Sequence, residues 1–202
     1  MSAWVACVGA FLIGGIPTAY LAGRWCRGVD VRQHGSGNVG ATNAVRVLGK
    51  KIGIAVFVVD LLKGALPVLC LQELALGAVS IGGDRALARI LLALCAVAGH
   101  VFTPFLGFKG GKGVATGAGA LLAGFPGLFG ICALVWVLVY APTRVVSISS
   151  LAGLAALAVA GLWTDYSGPV KGLFFLIFVF LTWTHRSNIS RLIRGEELSF
   201  KK

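Results

Sequence analysis

Long apolar windows alternate with short polar stretches along this chain. Windows at about residues 4–23, 52–72, 87–106, 146–163 and 170–184 each read as a helix able to cross a hydrocarbon core about 30 Å thick. A sixth apolar region, 114–141, is too long for one ordinary span. Gly124, Pro126, Gly127 and Gly130 interrupt it, so it reads either as one broken helix or as two short crossings. The distribution of lysine and arginine favours two. With seven crossings, segments 24–51, 107–113, 142–145 and 185–202 share one side and hold 14 of the 18 basic residues, as cytoplasmic loops do. The expected fold is therefore all-α, a multi-pass integral membrane protein with seven transmembrane helices. Its N-terminus is outside, its C-terminus is cytoplasmic, and residues 1–202 form a single membrane-embedded domain.

Composition agrees with this picture. The 202 residues are 57% hydrophobic and only 12% charged, with a mean hydropathy of +0.90. A net charge of +11 would suggest nucleic acid in a soluble protein. Here the basic residues lie between spans and no basic face is interleaved with aromatics, so topology and anionic headgroups account for them and no nucleic-acid partner is expected. The first window has no basic start, and it ends in GRWCRG without an A-x-A-like cleavage site, so it reads as a retained span. Five cysteines, Cys7, Cys26, Cys70, Cys95 and Cys132, are scattered singly without metal-ligand spacing.

Three polar segments fall on the same side of the seven-span arrangement and are expected to converge: GSGNVGATN at 35–43, GFKGGKGVAT at 107–116 and HRSNISRL at 185–192. The first matches G-x-G-x-x-G, but no strand precedes it and no βαβ unit surrounds it, so it is not a dinucleotide fingerprint. Two readings remain. One is a tight turn exposing backbone N–H groups to a ligand, followed by Thr42, Asn43 and Arg46 on a short helix; the other is a juxtamembrane turn capped by Ser36 and Asn38. The second segment is one residue short of a Walker loop and has Gly113 where Ser or Thr would be required. Its glycines Gly110, Gly111 and Gly113, its lysines Lys109 and Lys112, a helix starting at Val114 and the hydroxyl of Thr116 nevertheless suit an anion such as phosphate. A loop that only anchors topology would need the lysines but not the glycines.

His100 ends a span four residues before Pro104, which predicts a stop or bend before the lysine loop. In HRSN, His185 and Asn188 are three residues apart, on one face if the helix continues, where histidine can orient or deprotonate a hydroxyl and asparagine can hold a polar oxygen. Asp60 and Lys63 lie inside a span at i, i+3 and are expected either to pair or, for Lys63, to reach an anionic substrate. Seven acidic residues supply neither a Ser-His-Asp/Glu triad nor a cluster for a divalent cation.

Taken together, GSGNVGATN (35–43), DLLKG (60–64), GHVFTPFLGFKGGKGVATG (99–117) and HRSNISRLIRGEE (185–197) resemble, in order and spacing, the bacterial acyl-phosphate:glycerol-3-phosphate acyltransferases of the PlsY family. The resemblance covers essentially the whole chain. It implies a seven-helix inner-membrane enzyme with no cofactor or metal, which moves a fatty acyl group from acyl phosphate to the 1-hydroxyl of glycerol 3-phosphate. The products would be lysophosphatidic acid and phosphate, and the acyl phosphate would come from the soluble partner PlsX. Consistently, the H-x-x-x-x-D motif of other glycerolipid acyltransferases is absent, since Val39, Phe105 and Ser190 lie five places after His34, His100 and His185. By the same resemblance Ser36, His185 and Asn188 are catalytic. Asn38, Asn43, Arg46 and Lys63 bind substrate, together with Lys109, Gly110, Gly111, Lys112, Gly113 and Thr116 of the phosphate cradle; Thr42 and His100, which lie within the same polar segments, are expected to join them. A phosphate transporter would also use glycines and lysines, but it predicts inverted repeats, and the sequence shows none. A non-catalytic scaffold gives no reason for the polar segments to share one side.

Overall fold

The computed structural model describes residues 3–76 and 84–200, which form helices and connecting turns with no strand among them. They divide into two compact units, one ending at Gly124 and the other beginning at Phe125.

The first unit contains α1 (Ala3–Gly15), α2 (Thr18–Arg27), α3 (Ala41–Leu48), α4 (Lys50–Leu76), α5 (Arg85–Val101) and α6 (Val114–Gly124). The first apolar window is not one continuous helix, as its hydropathy suggested. Pro17 has no N–H and its ring blocks a continuing turn, so the helix breaks at Ile16–Pro17. The break leaves the Ile16 carbonyl outside an α-helical ladder, and a side chain from α4 uses it.

Glycines set how closely these helices cross. A Cβ on Gly64 of α4 would fall on the Thr116 carbonyl of α6, and one on Gly119 would fall on the Leu61 carbonyl. Between α1 and α5, Gly14 meets the Ala96 backbone and Gly99 the Phe11 backbone in the same way. Small residues that let backbones touch are the usual means of packing helices in lipid, where apolar side chains gain nothing by leaving the solvent. Gly64→Val is therefore expected to lower thermal stability in detergent by about 1–3 kcal/mol through overpacking. Gly127→Val, at a site with open space around it, should leave stability unchanged.

The second unit contains α7 (Pro126–Thr143), α8 (Val146–Leu162), α9 (Gly168–Thr184) and α10 (Arg186–Ile193). Phe125 packs edge-on against Phe174 and Tyr166, with ring centroids 5.0 and 5.4 Å apart. Region 114–141 is resolved as two helices, α6 and α7, separated at Phe125 with Pro126 in the first turn of α7, where a missing N–H costs nothing. The expectation of a helix continuing through HRSN is corrected. The last turn of α9 tightens as the His185 N–H donates to the Thr182 carbonyl, three residues back, and the axis bends by 60° before α10.

By length and composition four stretches can cross a membrane: Ala3–Arg27 with its break, Lys50–Ala75, Arg85–Leu106 and Pro126–Thr143. The bent pair α9–α10 makes a fifth, and Val146–Leu162 and Val114–Gly124 are shorter apolar helices.

Candidate active site

In the first unit the chain closes around a small, partly open cleft lined by Ile16, Val39, Lys63, His100, Thr103 and the glycines Gly110 and Gly111, among others. His100 occupies the end of α5, as its spacing from Pro104 predicted, and the chain then makes a single 3₁₀ turn, Pro104–Leu106. Thr103 is anchored by a hydrogen bond from its hydroxyl to the Gly15 carbonyl at the end of α1.

The glycine-lysine loop behaves differently from a simple phosphate cradle. The N–H groups of Gly110 and Gly111 are not presented to a ligand. They donate to the Val101 and His100 carbonyls at 2.9 and 3.1 Å, closing the C-terminal end of α5. A Cβ on Gly110 would strike the His100 carbonyl, and one on Gly111 would strike the His100 imidazole. These glycines let the loop pass against His100. The N–H groups able to face an anion are those of the first turn of α6, which begins at Val114 as expected, after Gly113 in the left-handed region (φ 84°). Lys109 is exposed, Lys112 is half-buried and Thr116 is fully buried. The Thr116 hydroxyl has no partner among the described residues.

The GSGNVGATN segment is held by Asn43. Its side-chain oxygen accepts the Ser36 N–H at 2.8 Å, and its amide donates to the Val31 and His34 carbonyls at 2.9 and 3.1 Å. Both ends of this buried side chain are thus engaged in shaping the turn that presents Ser36, which is half-buried. Gly35 and Gly37 turn the chain with φ of 60° and 70°. The capping alternative does not hold: the N-cap of α3 is Gly40, and no side chain caps it. Asn38, Thr42 and Arg46 are half-buried on the same segment. Before it, Asp30 accepts from Arg32 through both carboxylate oxygens. The Arg32 guanidinium holds the Asp30 carboxyl well below its usual value, at about 2, against the opposing effect of burial.

In the second unit His185 sits at the bend and is buried. Its Nδ1 lies 2.7 Å from the Leu181 carbonyl, which can only accept. Nδ1 therefore carries the proton, and a neutral imidazole keeps its lone pair on Nε2, the form in which histidine can accept from a hydroxyl. Three residues on, Asn188 donates from Nδ2 to Glu197 at 2.6 Å. Glu197 also accepts from Ser147 at 2.8 Å and Arg191 at 2.7 Å. Burial pushes the Glu197 carboxyl up, but hydrogen bonds from Asn188, Ser147 and Arg191 and the charge of Arg191 outweigh it, so its pKa is lowered. Sequence reading missed the roles of Ser147, Arg191 and Glu197. The signal available was a glutamate in a chain with few acids, nine residues beyond Asn188.

Comparison with known proteins agrees with the geometry. The family model described as glycerol-3-phosphate acyltransferase matches residues 4–195. A glycerol-3-phosphate acyltransferase of Myxococcus xanthus is 44% identical over 190 residues, covering 94% of this chain and 95% of that protein. The Clostridioides difficile protein of the same name is 42% identical over 189 residues, covering 93% and 90%. Among solved structures, PlsY, an integral membrane glycerol 3-phosphate acyltransferase, superposes in its glycerol 3-phosphate form with a TM-score of 0.85 at 34% identity, covering 98% of this chain and 96% of that one. Its lysophosphatidic acid form gives the same score and identity, with 98% and 95% covered. With its apolar helices, its buried polar cleft and these likenesses over nearly its whole length, the chain belongs to the glycerol-3-phosphate acyltransferase family typified by PlsY.

Proposed function

We propose that this membrane protein transfers a fatty acyl group from acyl phosphate to the 1-hydroxyl of glycerol 3-phosphate, releasing lysophosphatidic acid and inorganic phosphate. The observation that carries the reading is the cleft at the meeting of α1, α4 and α5, where a buried ammonium and an imidazole stand beside the glycine-lysine turn that leads into the N-terminus of α6. That arrangement suits a small phosphorylated polyol better than an apolar ligand.

The acyl phosphate is a mixed anhydride and already activated. Positioning and charge neutralisation can supply most of the rate without an acyl-enzyme. The glycerol oxygen forms the new bond to the acyl carbon, the carbon–oxygen bond to phosphate breaks, and the hydroxyl proton passes to a phosphate oxygen of a substrate. Ser36, His185 and Asn188 orient the hydroxyl and stabilise the developing oxyanion, His185 through Nε2. Lys109, Lys112, Gly113 and Thr116 attend phosphate, with Asn38, Thr42, Arg46, Lys63 and His100 completing the polar surroundings. Asn43, Gly110 and Gly111 are assigned to shaping these loops. Residues 1–202 act as one acyltransferase domain with seven crossings, N-terminus outside and active site facing the cytoplasm at the bacterial inner membrane. The skewed distribution of basic residues supports that orientation. The donor comes from a soluble phosphate acyltransferase of the PlsX type.

Purified protein should release phosphate from palmitoyl phosphate only when glycerol 3-phosphate is present. Lys112→Ala and Ser36→Ala should each lower that rate by about 10²-fold while remaining folded, the usual scale for one lost charge-stabilising donor. Variants that stay folded and as active as the wild type would refute the assigned roles.

A further inference from the structure

Asp60 is 1% exposed and Lys63 4%, and the ammonium lies 2.8 Å from the carboxylate. Lys63 Nζ also donates to the Ile16 carbonyl, at 2.8 Å, across 47 residues of sequence. Apart from the ammonium, the Asp60 carboxylate has no partner among the described residues. Such a pair is a poor investment in stability, because desolvating two charges costs more than their attraction returns unless further hydrogen bonds satisfy both. Neutral side chains of similar volume would hold the helices at least as well.

The geometry explains where the pair is used. An ammonium has three N–H donors. The Asp60 carboxylate and the carbonyl released by the Pro17 break occupy two of them, one from its own helix and one from the junction of α1 and α2. The third N–H is left for the cleft that Lys63 lines between Ile16, His100 and the Gly110–Gly111 turn.

We infer that Asp60 is a positioning residue for acyl transfer, fixing Lys63 together with the Ile16 carbonyl so that its remaining N–H meets a phosphate oxygen of the bound substrate. This rests on the acyl-transfer reading above. Asp60 touches no substrate itself and acts through Lys63.

The test is a double-mutant cycle on glycerol 3-phosphate-dependent phosphate release from palmitoyl phosphate, with thermal unfolding of the same purified samples. Asp60→Asn should lower kcat/KM by about 10²-fold, the scale of a displaced positioning group. Lys63→Met should do the same and also lose stability, since it strands a buried carboxylate. The combined variant, D60N with K63M, should recover stability yet remain as slow as Lys63→Met alone, because Asp60 has nothing left to position. Recovery of activity along with stability in the combined variant would reduce the pair to a structural bridge and overturn the inference. Losses that multiply would also overturn it, since Asp60 would then act independently of Lys63. Should Asp60→Asn fail to fold, Asp60→Glu, which keeps the charge but displaces the carboxylate, takes its corner of the cycle and should likewise lower kcat/KM, with no further loss when combined with Lys63→Met. A folded wild type that releases no phosphate would instead overturn the acyl-transfer reading, and the inference with it.

Discussion

Gly110→Ala is expected to reduce glycerol 3-phosphate-dependent phosphate release by at least about 10²-fold, although it adds one methyl group. The backbone of Gly110 is outside the left-handed region, so alanine suffers no dihedral penalty there. The conflict is spatial. The added Cβ would occupy the position of the His100 carbonyl oxygen, and the Val101 carbonyl lies 2.7 Å away. Neither is the movable end of a side chain. The turn would have to lift away from α5, breaking the hydrogen bonds from Gly110 and Gly111 and displacing the loop that carries Lys112 into α6. A displacement of about 1 Å of positioned groups can cost about 10²-fold in rate. Gly107→Ala is the comparison for strain: nothing lies within 4 Å of its Cβ, but its φ is 63°, so any loss there reflects backbone strain. Steady-state rates with melting temperatures for both variants check this. A Gly110→Ala protein with wild-type kinetics would contradict the assigned packing.

Glu197→Ala should destabilise the second unit by about 2–4 kcal/mol, because it removes the shared acceptor of Asn188, Ser147 and Arg191 and leaves a partly buried guanidinium without its carboxylate. Glu197→Gln should fall between, since an amide oxygen still accepts but carries no charge. Activity should fall with it, because Glu197 fixes the amide of Asn188. The same contacts give a pH dependence. The folded pKa of Glu197 lies below its ordinary value of 4.5. The stabilisation is therefore fully present above that value and is lost as pH falls through the lower, folded one. Hydrogen-exchange protection of the α10 amides in detergent, taken relative to the intrinsic exchange rate at each pH, should be high at neutral pH and fall in acid, and Glu197→Gln should remove that acid-dependent step.

The helices were legible where apolar windows were long, and their ends were legible where proline or glycine marked them, as at His100–Pro104 and at Val114. The break inside the first window was not read, because hydropathy averages over Pro17 and treats Ala3–Arg27 as one run. The bend at His185 escaped for a similar reason: an i, i+3 spacing assumes a continuing helix, and the tightened last turn of α9 depends on a hydrogen bond that composition does not show. The Asp60–Lys63 pair was visible because charges inside an apolar span stand out and three residues separate them. Gly110 and Gly111 were singled out correctly as loop residues, but their purpose was read as offering N–H groups. Only the three-dimensional passage of the loop against His100 shows that those groups are already bonded. The joint work of Ser147, Arg191 and Glu197 spans 50 residues, and no local pattern announces it.

The most direct test of the account is product formation by the purified wild-type protein from radiolabelled glycerol 3-phosphate, with palmitoyl phosphate or palmitoyl-CoA as donor. The account predicts labelled lysophosphatidic acid with palmitoyl phosphate, in equal amount to the phosphate released, and none with palmitoyl-CoA. Labelled product from palmitoyl-CoA, or phosphate released without any acylated glycerol phosphate, would contradict it.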